Sequence, residues 1–300
     1  TGCSRRELLD DYPVSGVDIK LDWNGVTDKL PEGVRVIFYP KSAEGRKIDT
    51  YLSVRGGKVK VPPGRYSVVA YNYDTETVQI RGEEAYETIE AFTGYCNGLG
   101  IAGTEKMVWG PDPLYVVQIN DLHIANSEEE LLLDWKPKLV VKTYSFKIKV
   151  EGLEYVSSIV GSVEGMAGCY CLGRCCGMMN DAPIYFEAQG CSGEVTGSFT
   201  AFGLPEGAMS RASLAIKFTL AFVKVDNTVQ KIEVDITDVI VNSESGEGGG
   251  NDEPSKDIEL PLDDDEVKVD KPENSSGGDG GIGGDVGDWG EEEEVPLPVI

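Results

Sequence analysis

Five of the seven cysteines crowd one stretch: Cys169, Cys171, Cys175, Cys176 and Cys191. Cys96 stands earlier and Cys3 near the start. Closely spaced thiols bind a metal, pair as disulfides or stay free. Cys171 and Cys175 match the two-ligand spacing of a structural zinc site. There is no second well-spaced pair, and the single histidine, His123, lies far off in sequence. No metal site is therefore expected. In an exported chain, disulfides are the natural use of Cys96, Cys169, Cys171, Cys175, Cys176 and Cys191. Six cysteines allow fifteen pairings, so the spacing leaves connectivity open. Adjacent Cys175 and Cys176 each need a separate partner.

Cys3 has a different chemistry. It follows Thr1-Gly2, and small residues before a cysteine end a bacterial lipoprotein signal. Such a cysteine is the acceptor for acyl chains, which hold a protein on a membrane. The polar stretch from Ser4 to Pro13 then serves as a spacer.

Other reactive groups are sparse. His123 alone is available for imidazole acid–base work, and no Gly-x-Ser-x-Gly nucleophile elbow occurs. Carboxylates are abundant, but no pair is singled out for glycoside hydrolysis. Gly280–Asp285 matches one copy of a calcium-repeat pattern that works only when stacked, and Asp263–Glu266 reads as a solvated charge run. No catalytic residue and no cofactor are expected. Trp109, in Val-Trp-Gly-Pro, is the loop aromatic best placed to contact a ligand.

The elements that must position these residues read as strands. Val17, Ile19, Leu21 and Trp23 alternate with charged residues, as in a half-buried strand. Val34–Tyr39 is nearly continuous and apolar, which fits a central strand. Tyr66–Tyr73 and Leu114–Ile119 follow. The pattern restarts after Trp135-Lys136-Pro137 with 140–150, 156–163, 184–188, 195–202, 214–225 and 229–240. Helices are expected only at 83–92 and 127–135. Many short strands at regular spacing predict an all-β fold of two β-sandwiches, separable near Lys136-Pro137-Lys138.

The chain carries 27 bases, 52 acids and a net charge of −25, which would repel a phosphate backbone; nucleic acid is not an expected partner. From Asn242 onward there are 19 acids, 3 bases and 12 glycines. Such a segment buries too little apolar surface to order itself. Two apolar pieces, Ile258–Leu262 and Val286–Ile300, interrupt it and are expected to dock, the second as an exchangeable edge strand reported by Trp289. The organisation expected is a lipoprotein start and spacer at 1–12, sandwiches at 13–136 and 137–242, and an acidic Gly-rich tail at 243–300.

Several phrases carry a family resemblance in order: Cys3-Ser-Arg-Arg-Glu-Leu, Val17-Asp-Ile-Lys-Leu-Asp-Trp23, Val34-Arg-Val-Ile-Phe-Tyr-Pro40 and Val59 to Asn72. Val160-Gly-Ser-Val-Glu-Gly-Met166 and Val195-Thr-Gly-Ser-Phe-Thr-Ala-Phe-Gly203 continue it. The chain resembles Bacteroides-type lipoproteins of unknown function akin to the FimB/Mfa2 fimbrial anchor and accessory proteins. The resemblance implies tandem transthyretin-like, Greek-key β-sandwiches and a lipid on Cys3. It implies an outer-membrane location, on the cell surface rather than the periplasmic face. The partners it implies are the membrane, fimbrial subunits and other surface proteins, in anchoring or adhesion without catalysis. The other expectation is a glycan- or peptide-binding lipoprotein of a nutrient-uptake system.

Overall fold

A computed structural model describes residues 16–26, 29–96, 106–127, 129–179, 182–208, 214–245, 255–261 and 267–272. Cys3, the spacer and the segment 286–300 with Trp289 lie outside the described residues.

The first half contributes β1 (Gly16–Leu21), β2 (Gly33–Pro40), β3 (Ile48–Ser53), β4 (Gly56–Lys60) and β5 (Gly64–Asn72). Then come β6 (Val78–Arg81), β7 (Glu90–Thr93), β8 (Tyr95–Cys96), β9 (Met107–Trp109), β10 (Tyr115–Ile124) and β11 (Leu131–Trp135). Beyond Pro137 lie β12 (Lys138–Leu139), β13 (Lys142–Lys149), β14 (Val156–Glu164), β15 (Ala167–Cys171) and β16 (Cys176–Met179). The chain continues through β17 (Ile184–Cys191), β18 (Glu194–Ala201), β19 (Lys217–Lys224), β20 (Val229–Asp235), α1 (Thr237–Ser245) and β21 (Ser255–Asp257). The fold is all-β, as expected.

The first sheet runs β11-β1-β4-β3-β2-β5-β10-β12. Trp23, just past β1, meets Tyr115 of β10 edge-on at 5.3 Å. Four strands separate β1 from β10 in the sheet, so the sheet curls back on itself. It encloses Val17, Ile19, Val36, Phe38, Val68 and Trp135 among others. Val34, Val36 and Phe38 point into that core, while Ile37 and Tyr39 point into a second one. Burial on both faces is why β2, apart from Arg35, reads as apolar throughout.

The second sheet runs β20-β19-β14-β17-β18-β13-β21, with β9 parallel to β17 and β8 paired to β9. Its core holds four mutually packed rings, Phe146, Phe186, Phe199 and Phe218. The expectation that Ile258–Leu262 docks holds for its described part. Ile258 and Leu260 are buried in this core with Val267 and Val269. β21 lies parallel to β13, and Glu151 bridges Lys268, so the segment runs along that edge.

A third, four-stranded sheet, β16-β15-β7-β6, is built from both sides of residue 137. The core beneath it joins Ile37, Val69 and Leu114 from one side to Ala167, Tyr170, Leu172 and Phe202 from the other.

Both expected helices are corrected. Residues 83–88 form turns that lead into β7. Leu131–Trp135 is a strand parallel to β1, with Leu131, Leu133 and Trp135 packed inward and Leu132 exposed. Alternation of period two won over helix propensity there. The one α-helix among the described residues, α1, falls partly where a strand was expected at 229–240. The Asp235 carboxylate accepts the Thr237 N–H at 2.9 Å, which ends the ladder. Ile236 and Ile240, four apart, then bury on one face. Glu244 ties the helix end to β13, accepting the Tyr144 hydroxyl at 2.8 Å and pairing with Lys142.

Candidate functional site

Trp109 ends β9 at the rim of the second sheet, about 40% exposed. The loop after it is pinned. The Thr77 hydroxyl donates to the Gly110 carbonyl at 3.0 Å, and Asp112 accepts the Glu76 and Thr77 amides at 2.5 and 2.6 Å. The indole packs edge-on against Tyr185 at 5.5 Å. Tyr95, the neighbouring exposed aromatic, is opposite Val108 in register, so it projects from the other face of the β8–β9 ribbon. The two rings do not make one stacking platform. Lys106 lies over the Tyr95 ring at 5.5 Å.

His123 is exposed on β10, opposite Arg65 in register. Its nearest carboxylate in sequence, Asp121, is committed to Arg65 and Lys41; the hydrogen bond from Arg65, with the two positive charges, holds it below the usual carboxylate range. Asp121 is thus not available to orient His123 as a triad carboxylate would.

The most developed ionic cluster surrounds Arg35 of β2. Its guanidinium donates to both Asp49 oxygens at 2.9 and 2.7 Å, to the Tyr71 hydroxyl at 2.9 Å and to Glu83. The Asp49 bond is the main reason the guanidinium is held even more firmly charged. Burial pushes the Tyr39 and Tyr71 phenols up. Every carboxylate in this cluster is engaged by a cation, so the cluster clamps β2, β3 and β5 to the 82–85 turn. Sequence reading missed it, because four residues between positions 35 and 83 meet only when the sheet forms. Beside it two open grooves, of about 620 and 650 Å³, flank the 41–47 loop.

The described cysteines are all thiols. Cys96 packs with Met107, Val160, Tyr185 and Ala221, and burial pushes its thiol up. Cys191 is exposed at the β17–β18 turn. The other four gather at the β15–β16 hairpin. Among the described residues no group of three or more histidine, cysteine or acidic side chains is arranged to hold a metal ion.

A model of the family described as "Domain of unknown function (DUF5119)" matches residues 2–187. The chain belongs to the DUF5119 family. A Bacteroides ovatus protein named "Putative fimbrium anchoring subunit Fim4B" is 57% identical over 316 residues, covering 100% of this chain and 94% of that protein. A crystal structure of a Bacteroides ovatus protein described as a "putative adhesin" superposes with a TM-score of 0.75 at 57% identity, over 91% of this chain and 98% of that one. A Bacteroides thetaiotaomicron structure described under "putative polysaccharide binding proteins (DUF1812)" superposes with a TM-score of 0.52. It is 11% identical over 81% of this chain and 88% of that one, a likeness of fold alone. The resemblance to fimbrial anchor proteins drawn from the ordered phrases thus holds for this DUF5119 chain.

Proposed function

We propose that this DUF5119 chain is a non-enzymatic cell-surface subunit of a fimbrium, serving to anchor it at the outer membrane. One observation carries the reading: 57% identity along the entire chain to a protein named as a fimbrium anchoring subunit. The side-chain arrangement supports it. The ionic cluster at Arg35 is a clamp between strands, and Asp121, the carboxylate nearest His123 in sequence, is held by Arg65. The work done is strand pairing and surface contact with other fimbrial subunits.

An anchor needs a grip on the membrane, and Cys3 supplies it through acyl chains. Each buried methylene contributes about 0.8 kcal/mol, so two or more chains hold firmly where one holds marginally. The test expresses the chain behind a lipoprotein export signal, as wild type and as Cys3→Ser. Wild type is expected to take up labelled fatty acid and to sediment with membranes. The Cys3→Ser protein is expected to lose both, and fimbriae are expected to be shed into the medium. Label-free wild type, or fimbriae equally retained with Cys3→Ser, would overturn the lipid-anchor reading.

A further inference from the structure

Cys171 ends β15 and Cys176 begins β16, and the two are direct partners in the antiparallel ladder. Four residues, Leu172 to Cys175, close the turn between them. Gly173 presses against the Tyr86 carbonyl, where an added Cβ would lie 1.9 Å from the oxygen. Cys175 takes the left-handed conformation, at a φ of 52°. The turn is therefore fixed by its neighbours, and so is the register of the pair. Directly opposed Cα atoms in an antiparallel ladder are about 4.5–5.5 Å apart, inside the roughly 4.4–6.8 Å that a disulfide spans.

The other cysteines lack this relation. Cys169 is opposed by Met178 on one side and Phe92 on the other. It is diagonal to Cys176, and diagonal neighbours are about 7–8 Å apart, beyond disulfide reach. Cys175 turns toward Tyr170 and donates to the Leu172 carbonyl at 3.6 Å. Cys191 is opposed by Glu194, and Cys96 is enclosed by its apolar neighbours. Of the possible cysteine pairs, Cys171–Cys176 is the one that joins ladder partners among the described residues.

We propose that Cys171 and Cys176 form a structural disulfide that locks the β15–β16 hairpin when the chain meets a disulfide oxidant. The Cys176 thiol is the more exposed of the two and reacts first. It loses its proton, and the thiolate attacks one sulfur of the oxidant, whose other sulfur leaves as a thiol. The Cys171 thiolate then attacks the Cys176 sulfur of this mixed disulfide, and the oxidant's remaining sulfur leaves as a second thiol. Two protein thiols are oxidised, one oxidant disulfide is reduced, and the two protons pass to the released thiols. Burial, helped by the bond to Glu206, pushes the Cys176 thiol up to about 11. So basic a thiol ionises sparingly and its thiolate leaves poorly, which slows both closure and reductive opening of the bond. The hairpin is half of the third sheet, and β15, which the bond ties to β16, is the strand that pairs with β7 from the first half of the chain.

Arg174 lies between the two cysteines, so trypsin separates them. The full chain is equilibrated with oxidised glutathione, alkylated and digested. Peptides 150–174 and 175–211 are expected to remain linked, lighter by two hydrogens than their sum, and to separate after reduction. The link is expected to persist in Cys169→Ser, Cys175→Ser and Cys191→Ser and to vanish in Cys171→Ser and Cys176→Ser. Unlinked wild-type peptides would overturn the proposal, as would a link that survives Cys176→Ser or is lost in Cys169→Ser. The assay uses an added oxidant, so its outcome is independent of the fimbrial reading.

Discussion

Cutting the chain after Gly250 is expected to destabilise it severely, and far more than cutting after Pro272. The difference between the two cuts is the segment that carries Ile258, Leu260, Val267 and Val269, each at most 5% exposed in the second core. Burying one such side chain stabilises by about 1.5–3 kcal/mol. Removing a single buried Leu or Ile side chain down to Ala typically costs about 2–5 kcal/mol, because the site collapses only in part. Ordering the segment costs backbone entropy, so the four contributions do not simply add. The net loss should still exceed that of any one of the point substitutions.

The short cut also strips the edge of β13. Thr143, Tyr144 and Ser145 lose their ladder partners Ser255, Lys256 and Asp257, and Glu151 loses its bridge to Lys268. An uncovered edge above an apolar groove is a template for another chain. The chain ending at Gly250 is therefore expected to self-associate as well as to unfold early. Urea unfolding of both truncations and of Leu260→Ala, with light scattering alongside, checks this. Equal midpoints for the two truncations would refute the role given to the segment.

How much of this was legible in the sequence depends on the range of the signal. Strand existence is local. The alternation at Val17–Trp23 and the apolar run at Val34–Tyr39 each name a strand and its burial, and both stand in the structure. The apolar interruption at Ile258–Leu260 was readable for the same reason: exposed, it would be costly. Partner choice is not local. Nothing near Phe92 announces that it will face Cys169, yet that pairing puts strands from both sides of Pro137 into one sheet. The proline at 137 marks a break in the pattern without saying which contacts cross it. Helix α1 was hidden because Ile236 and Ile240 sit at the end of a β-rich window, where four-residue spacing is easily taken for a continued strand.

Gly161 is expected to be the least replaceable small residue of the second core. It stands opposite Phe186 in the β14–β17 register, and a Cβ there would fall 2.2 Å from the ring's Cζ. Phe186 thus lies across the bare backbone of its neighbour. Gly197 repeats the device on β18, where a Cβ would fall 2.6 Å from Cζ of its partner Phe146. Neither ring can swing aside. Phe186 is flanked by Phe218 at 5.4 Å, Phe146 at 5.7 Å and Phe199 at 5.7 Å. This explains the Val-Gly-Ser-Val and Thr-Gly-Ser-Phe phrases physically: the glycine is the floor on which an aromatic rests. Gly161→Ala should cost about 1–3 kcal/mol, the usual range for overpacking a filled core, and Gly161→Val more. Because the clash is with one ring, shortening that ring should relieve it. Phe186→Leu destabilises on its own by opening space, but in the Gly161→Ala background the added methyl should be better tolerated. The double-mutant cycle should show favourable coupling of about 0.5–3 kcal/mol. Costs that simply add would mean that the methyl is resisted by the backbone and not by the Phe186 ring.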